Sequence, residues 1–452
     1  MGQPVQSPTR VRWLVFGLAC ASSWMLYLHR YTWNFIGPEL ERTHGLSKAE
    51  LGTLFSFFMP PYGIFQIPSG ILSDLVGPHL FLGLIMILWS LALPLHAAAG
   101  SFASLAVVRV LFGAFQAGCY PNLTKVTQVW FPRSRRTVVQ GWVATFFGRG
   151  GAAMSPILFG TLLMGYCGFS WRTALVLLGG GGVFLGVLFL HQFRNSPEVD
   201  PRTNQAERDL IREGSPKTKP GGSRVLPWRR AARNRSMRYF ILGQIASAAA
   251  DTIYVSFMGD YFLNAKGVEM IQAGVLVSLP LWGGAVGGMV GGYCNDWAIQ
   301  WSGSRRWGRS VIGFTGKFVA CLLMLVTIRQ ESAVAAGISL FAVKFFTDWS
   351  QPTVWGTCTD LGGRYSATLF GIVNTSASAG GVLAPPLFGL ILDYNTARQW
   401  VDGAWVQTTN YNPLFVVVAA MYLVSAVTWF FIDCTESVES ELEPEQRATP
   451  PT

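Results

Sequence analysis

The chain has 452 residues, of which 50% are apolar, 13% aromatic and only 13% charged, whereas soluble domains carry about 25% charged residues. A mean hydropathy of +0.35 excludes an ordinary water-soluble globule and predicts a polytopic membrane protein. The formal charge of +10 is assigned to loop placement and contact with anionic lipid, not to nucleic acid.

In chain order, apolar blocks fall near residues 13–36, 52–73, 79–99, 104–130, 138–164, 173–192, 238–262, 271–293, 310–328, 333–356, 366–392 and 413–432. Most reach the roughly 20 residues that a tilted helix needs to cross the hydrocarbon. Backbone in lipid must satisfy its own hydrogen bonds, so the expected fold is all-α and integral to the membrane, with twelve transmembrane helices. The first block begins at Trp13. It is too long for a signal peptide's apolar core and lacks a small-residue cleavage site, so it reads as a retained helix.

Twelve crossings put both termini on one side. The loops of that side hold Arg133, Arg135, Arg136, Arg305, Arg306 and Arg309, whereas the opposite loops offer Arg42, Lys48, Arg172, Lys266, Arg329 and Arg398. The positive-inside rule then makes both ends cytoplasmic, in a multi-pass protein of the cell membrane.

Residues 193–237 interrupt the apolar pattern with Arg, Lys, Glu, Pro and Gly, including Ser215-Pro216-Lys217-Thr218-Lys219-Pro220-Gly221-Gly222. This stretch reads as a cytoplasmic linker, with Gln205–Arg212 a candidate helix within it. It separates an N-terminal six-helix bundle (1–192) from a C-terminal one (238–435). The tail, 436–452, carries Glu439, Glu441, Glu443 and Glu445 with three prolines and is expected to be disordered and cytoplasmic.

The halves echo each other. Gly70-Ile71-Leu72-Ser73-Asp74 closes the second block, and Gly292-Tyr293-Cys294-Asn295-Asp296 closes the eighth, 222 residues later. Pro156-Ile157-Leu158-Phe159-Gly160 in the fifth block returns as Pro385-Pro386-Leu387-Phe388-Gly389 in the eleventh, 229 residues later. Two matches in register argue for duplication, and duplicated halves facing a midplane site are a transporter architecture.

Charges inside the blocks point to the chemistry. Arg30, Arg109, Arg149, Asp251, Lys344 and Asp348 stand where hydrocarbon should be, at a cost of roughly 2.5–3.5 kcal/mol each on insertion scales. Their surplus is positive, which suits an anionic guest. Tyr27, Arg30 and Asn34 share one helical face, with His29 one step aside. A guanidinium presents a planar fork matched to a carboxylate; the competing reading pairs Arg30 with Asp251 or Glu39. Arg109 and Gln116 share a face of the fourth block, and Arg109 reads equally as a structural or coupling residue. Tyr62 and Gln66 form a polar face suited to sugar-acid hydroxyls or to helix packing. Asp251 is the deepest acid, with Tyr254 beside it. Lys344 and Asp348 are four apart on the tenth block and able to neutralise each other. Asn374 opens a small polar patch, Thr375-Ser376-Ala377-Ser378, that suits the second half of a substrate site.

Signatures of soluble enzymes are missing. The sequence has no phosphate-cradling loop, no metal spacing and no nucleophile–base constellation, so neither a cofactor nor enzymatic activity is expected. Cys20, Cys119, Cys167, Cys294, Cys321, Cys358 and Cys434 show no paired spacing and read as small packing residues.

Several stretches resemble the major facilitator superfamily and, within it, the anion:cation symporters. That group includes hexuronate and galactonate transporters, sialin and the vesicular glutamate transporters. Tyr62-Gly63-Ile64-Phe65-Gln66-Ile67-Pro68-Ser69-Gly70-Ile71-Leu72-Ser73-Asp74 is similar to that group's Tyr-x3-Gln-x-Pro-x-Gly-x-Leu-x-Asp stretch. Trp130-Phe131-Pro132 followed by arginines resembles its loop after the fourth helix. Asp360-Leu361, Arg364-Tyr365, Gly371 and Asn374-Thr375 resemble the run entering the eleventh helix. The resemblance implies two pseudo-symmetric six-helix bundles. It also implies substrate contact by Tyr27, Arg30, Tyr62 and Asn374, an anion-binding or coupling role for Arg109, and gating turns at Asp74 and Asp296. The chain departs from the pattern at two positions where many relatives have acids, carrying His29 and Gln116. It also has Pro78-His79 after Gly77, where a basic residue is usual.

Together these features predict a monomeric secondary transporter of a small organic anion such as a sugar acid, working by alternating access. Arg30 would take the carboxylate, and Tyr62, Gln66 and Asn374 the hydroxyls. H+ or Na+ would be co-transported, with His29, Asp251 and Asp348 as coupling candidates. The alternatives are an uncoupled anion facilitator or exchanger, and an efflux carrier of another small solute.

Overall fold

Apolar runs become helices here, punctuated by proline, glycine and hydroxyl caps. The computed structural model describes residues 7–132, 139–212, 234–362, 366–401 and 404–435. The arginine-bearing turn 133–138, most of the linker and the tail from 436 lie outside these described residues.

The chain runs through α1 (Val11–Tyr31), α2 (Trp33–His44), α3 (Lys48–Ser56), α4 (Met59–Val76), α5 (Pro78–Ala98), α6 (Phe102–Gln116) and α7 (Cys119–Trp130). Next come α8 (Gly148–Pro156), flanked by π-helical turns Trp142–Phe147 and Ile157–Tyr166, then α9 (Trp171–Gln192) and α10 (Gln205–Arg212). After α11 (Arg235–Asp251), short turns carry the chain through Ile253–Ser256 to Ala265. Then follow α12 (Met270–Ser302), α13 (Arg305–Ile328), α14 (Ala333–Trp349), α15 (Gln351–Gly362) and α16 (Ser366–Tyr394). A hairpin of β1 (Thr396–Val401) and β2 (Ala404–Thr409) leads into α17 (Asn412–Thr428).

Backbone packing divides the chain into two compact units, Met1–Leu46 with Phe57–Pro220, and Ser47–Ser56 with Gly221–Thr452. Helix α3 therefore belongs to the second unit although the chain on either side of it belongs to the first.

Among the described residues, eight helices are long and apolar enough to cross a membrane, or nine if the bent pair Arg235–Ser256 and Met258–Ala265 is one span. The remaining apolar blocks are interrupted. Pro60 and Pro61 fall in the first turn of α4, where a missing N–H is tolerated, so the second block divides into α3 and α4. The tenth block stops at Ser350, just before Pro352, leaving α14 with 17 residues.

Hydroxyl caps begin several helices. Ser101 and Ser104 form a reciprocal capping box at α6, and Ser170, Asn234 and Ser332 accept from the third backbone N–H of α9, α11 and α14. Large apolar side chains such as Leu75, Phe184 and Ile338 stay exposed, as a surface facing acyl chains requires.

The duplication is visible in the backbone of each unit. At Thr32 the chain breaks between α1 and α2. The Thr32 hydroxyl donates to the His29 carbonyl (2.8 Å), and the Thr32 carbonyl accepts from Phe35 and Ile36 (3.0 and 3.2 Å). Two hundred and twenty residues later Thr252 repeats the turn. Its hydroxyl donates to Ala249 (2.7 Å), and its carbonyl accepts from Val255 and Ser256 (3.1 and 3.0 Å). Arg30 and Asp251 each lie within two residues of these breaks, where half-helices expose backbone and charge together.

Glycine sets the closest helix contacts. Gly283, Gly287 and Gly291 of α12 lie against the carbonyls of Phe341, Phe345 and Trp349 of α14, and a Cβ at any of the three would overlap them. This is small-xxx-small packing repeated over two turns.

The first part of the linker is ordered within the first unit. Glu207 of α10 is fully buried and accepts from the backbone N–H groups of Val11 and Arg12 (3.3 and 3.1 Å), at the N-terminus of α1 where a carboxylate is favoured. Burial would raise the Asp200 carboxyl, but hydrogen bonds from the Arg202 side chain and backbone hold it below the usual carboxylate range. The hairpin was not foreseen in the apolar reading. Its sequence signal is Asp402-Gly403 between two six-residue runs, the pair that favours a two-residue turn.

Candidate functional site

Arg30 is the centre of the first unit's candidate site. It lies in the last turn of α1, and its residue is only 9% exposed. Its guanidinium carbon stands 5.1 Å from the Tyr27 ring centroid, 4.8 Å from Phe58 and 4.5 Å from Tyr62. Nε donates to Gln116 Oε1 (3.2 Å), and Gln116 in turn donates to the Leu26 carbonyl (3.4 Å). Nη2 is buried and meets no acceptor. Among the described residues no carboxylate pairs with Arg30: Glu39 pairs with Arg42 (2.9 Å) and Asp251 with Lys344 (2.8 Å).

These contacts offset the burial of the guanidinium only in part. Each aromatic face offsets about 0.5–2 kcal/mol of the burial of a cation, while desolvating an ion costs several kcal/mol. An anion in the plane of the free Nη2 would make up the difference with charge-assisted hydrogen bonds.

Arg109 of α6 is 2% exposed and lies 4.4 Å from the Trp33 ring and 5.2 Å from Phe58. The two arginines therefore share the Phe58 ring, concentrating positive charge around one aromatic side chain. Tyr120 extends the cluster, packing edge-on against Tyr27 and hydrogen-bonding Ser23 (3.0 Å). Helix α8 closes over them because Gly148 touches Tyr120, Ser23 and Tyr27, where a Cβ would crowd all three.

The structure thus brings Tyr27, Arg30 and Tyr62 together and joins Arg109 to them through Phe58. Gln66 is half-buried one turn beyond Tyr62 on α4. His29 points elsewhere: its Nε2 bonds the Leu178 carbonyl (3.0 Å), and its ring fills the space over Gly182. The side chain of Asp74 lies outside the described residues. Asp296 is exposed on α12 and accepts from Asn295 (3.2 Å), whose Oδ1 accepts from Thr353 (3.0 Å). Asn374 is exposed on α16 of the second unit, and its carbonyl accepts from Ser378 (3.1 Å).

A second cluster occupies the core of the second unit. Lys344 Nζ lies between Asp251 Oδ2 (2.8 Å) and Asp348 Oδ1 (2.9 Å). Tyr422 donates to Asp251 Oδ1 (2.7 Å), and Lys344 stands 5.6 Å from the Tyr254 ring. Lys317 donates to Ser247 Oγ (2.7 Å) and the Thr347 carbonyl (3.0 Å). Gly284 leaves the space that the Asp348 carboxylate fills. The local pairing of Lys344 with Asp348 is present, and Asp251 joins it.

Two residues of evident weight, Lys317 and Asp260, escaped the sequence reading, and Lys48, read as a cation of the opposite loops, is instead buried at the start of α3. Lys317 carried the same signal as Lys344, a cation inside an apolar block. Lys48 and Asp260 form a buried ion pair (2.9 Å), both side chains at most 5% exposed. Tyr411 also donates to Asp260, and Asn264 donates to its other oxygen (2.6 Å). Their pairing spans 212 residues, which no local spacing reveals.

The family model of the Major Facilitator Superfamily matches residues 13–385. A probable sulfoacetate transporter of Cupriavidus necator is 26% identical over 97% of each chain. A probable L-galactonate transporter of Escherichia coli is 27% identical over 81% of this chain and 80% of its own. Among solved structures, a bacterial homologue of the human lysosomal transporter Spinster, inward-facing and unoccupied, superposes with a TM-score of 0.67. It is 17% identical and covers 94% of this chain and 95% of its own.

Proposed function

We propose, for a chain that belongs to the Major Facilitator Superfamily, that it carries a small organic anion across the cell membrane by alternating access. The family and the relatives above are transporters, not enzymes. The observation that carries the anion reading is the buried Arg30 guanidinium, caged by three aromatic rings, with no acceptor at Nη2 and no paired acid among the described residues. The relatives' cargoes, sulfoacetate and galactonate by name, are acids that such a fork suits.

In this reading Arg30 binds the anionic group, and Arg109 adds charge from across the Phe58 ring. Tyr27, Tyr62 and Gln66 meet hydroxyls or the carbon skeleton, and Asn374 is the hydroxyl-recognising residue proposed within its own unit. Asp74 and Asp296 act at the gating turns. The protein works as a monomer with both termini cytoplasmic, and cation coupling through acids of the second unit is part of the proposal. An uncoupled exchanger is the rival favoured by Gln116, which bonds Arg30 but holds no titratable proton.

The test is uptake into proteoliposomes of labelled galactonate and sulfoacetate. Arg30→Ala is expected to lower transport at least tenfold, roughly the 1.5–3 kcal/mol of a hydrogen bond to a charged group, with the amount of folded protein unchanged. Near-normal uptake by Arg30→Ala removes the anion-binding assignment.

A further inference from the structure

We infer that residues 193–212 form a clasp joining four helix ends of the first unit. Glu207 within it is a positioning residue for transport, acting through α1 on Arg30. The inference rests on the transport reading of the chain and gives the linker a role that does not depend on which anion is carried.

The clasp starts where α9 ends. Phe193 is fully buried, and its ring meets those of His79, Trp130 and Phe189 at 6.4, 6.2 and 4.7 Å. Trp130, the last residue of α7, donates to the Arg194 carbonyl (3.0 Å). Asn195 Oδ1 accepts from the His79 backbone N–H (2.8 Å), and its side chain fills the space beside Gly77, whose φ is +86°. The turn between α4 and α5, which carries the proposed gating role, is thereby held from the linker. Asp200 is fully buried and accepts from the Arg202 backbone N–H and Nε (3.0 and 2.9 Å) and from Nη2 (2.7 Å). Arg202 Nη1 reaches back to Gln192 Oε1 at the end of α9 (2.8 Å).

The other end of the clasp grips the start of α1. Asn204 Oδ1 accepts from the backbone N–H groups of Thr9 (3.2 Å) and Glu207 (3.0 Å), and Asn204 Nδ2 donates to the Ser7 carbonyl (2.7 Å). Helix α1 has no side-chain cap of its own at Arg10. The fully buried Glu207 carboxylate takes that place, accepting from Val11 and Arg12 N–H, from the Thr9 hydroxyl and from Arg12 Nη1 (3.2 Å). Buried carboxylates are costly unless fully paired. A connector serving only as a tether has no need to bury two of them, whereas a clasp gains a fixed geometry from each.

One helix carries that geometry to the candidate site. Arg12 and Arg30 lie on the same unbroken α1, about 27 Å apart at 1.5 Å per residue. In alternating access a repeat rocks as a body, so α1 and the turn after α4 have to move together. The clasp ties them at one end of the unit. The groups around the Arg30 guanidinium, Tyr27, Phe58, Tyr62 and Gln116, are held by other contacts. Loosening the clasp therefore slows the movement and leaves anion affinity in place.

Two measurements on the full chain test this. The first is hydrogen exchange of the purified protein in detergent, read on peptides that contain Val11 and Arg12 or His79. Glu207→Ala is expected to quicken exchange at Val11 and Arg12 and also at His79, whose own acceptor Asn195 is untouched. Asn195→Ala is expected to quicken both sets in return, as members of one cooperative unit do. Substitutions that each loosen only their own contact overturn the clasp. The second compares galactonate uptake per folded molecule in proteoliposomes with galactonate affinity from binding isotherms. Glu207→Ala is expected to lower turnover roughly tenfold, an ordinary coupling effect, at unchanged affinity. Glu207→Gln, which keeps an acceptor for the α1 amides, is expected to recover most of the rate. Wild-type turnover per folded molecule in Glu207→Ala, or an affinity loss as large as the loss of rate, overturns the positioning role. Asn195→Ala attacks the clasp from its opposite end and is expected to show the same loss of rate at unchanged affinity, so a Glu207→Ala protein that fails to fold leaves the prediction open to refutation. Absence of galactonate uptake by wild type would instead count against galactonate carriage, while hydrogen exchange still decides the clasp.

Discussion

The partner of Arg30 Nε bears on the anion-binding role proposed for it. Its Nε is occupied by a neutral amide, Gln116 Oε1 (3.2 Å), rather than by a carboxylate, so the positive charge is oriented without being neutralised. Replacing Gln116 by glutamate makes the contrast measurable. A carboxylate at that position would pair with the adjacent guanidinium. It would then compete with the cargo for Arg30. Gln116→Glu is expected to weaken anion binding roughly tenfold at neutral pH, the order of a 1.4 kcal/mol change, and to recover affinity as acidification neutralises the new side chain. Binding isotherms at two pH values check both the size and the sign. His29 offers no such handle in this structure, since its ring packs over Gly182 against α9.

At the scale of elements, α3 is the most informative. Nine residues long, it is held by α16 along its whole length. The Asp393 carboxylate accepts from the backbone N–H groups of Lys48 and Ala49 (3.0 and 2.9 Å), in the manner of a helix cap. Gly52 lies against the Pro385 carbonyl, and Ser56 donates to the Val382 carbonyl (2.7 Å). The Lys48–Asp260 pair adds a buried charge contact. Removing one member leaves the other uncompensated, so Lys48→Ala is expected to destabilise the fold by about 3–5 kcal/mol. The double variant K48M/D260L, which removes both charges, should recover most of that loss. Thermal unfolding in detergent separates the two cases. Equal melting of wild type and Lys48→Ala would show that the segment is held by backbone contacts alone.

For the whole molecule, orientation gives the clearest prediction. By the positive-inside rule, loop arginines on one side and few on the other predict that both termini are cytoplasmic. A protease-cleavable tag at either terminus is therefore expected to be cut in inverted vesicles and protected in intact cells; cleavage of either tag from outside would reverse the assignment.

Much of this protein was legible before any coordinates. Low charge and long apolar runs require helices in lipid, because unpaired backbone cannot persist there. The register of Gly70-to-Asp74 with Gly292-to-Asp296 disclosed the duplication that Thr32 and Thr252 express as the same hydrogen-bonded break. Arg30, Arg109, Asp251, Lys344 and Asp348 announced themselves because charge in hydrocarbon is costly and therefore uncommon. Tertiary structure alone decided who faces whom. Periodicity placed Tyr27 and Arg30 on one face of a helix, but the convergence of Phe58 and Gln116 on that guanidinium joins three helical segments. Likewise Lys344 was local to Asp348, four residues away, while Asp251 reached it across 93. Helical spacing encodes neighbours within a turn or two, whereas contacts between helices depend on how glycines and carbonyls let backbones approach, and that is settled only by packing.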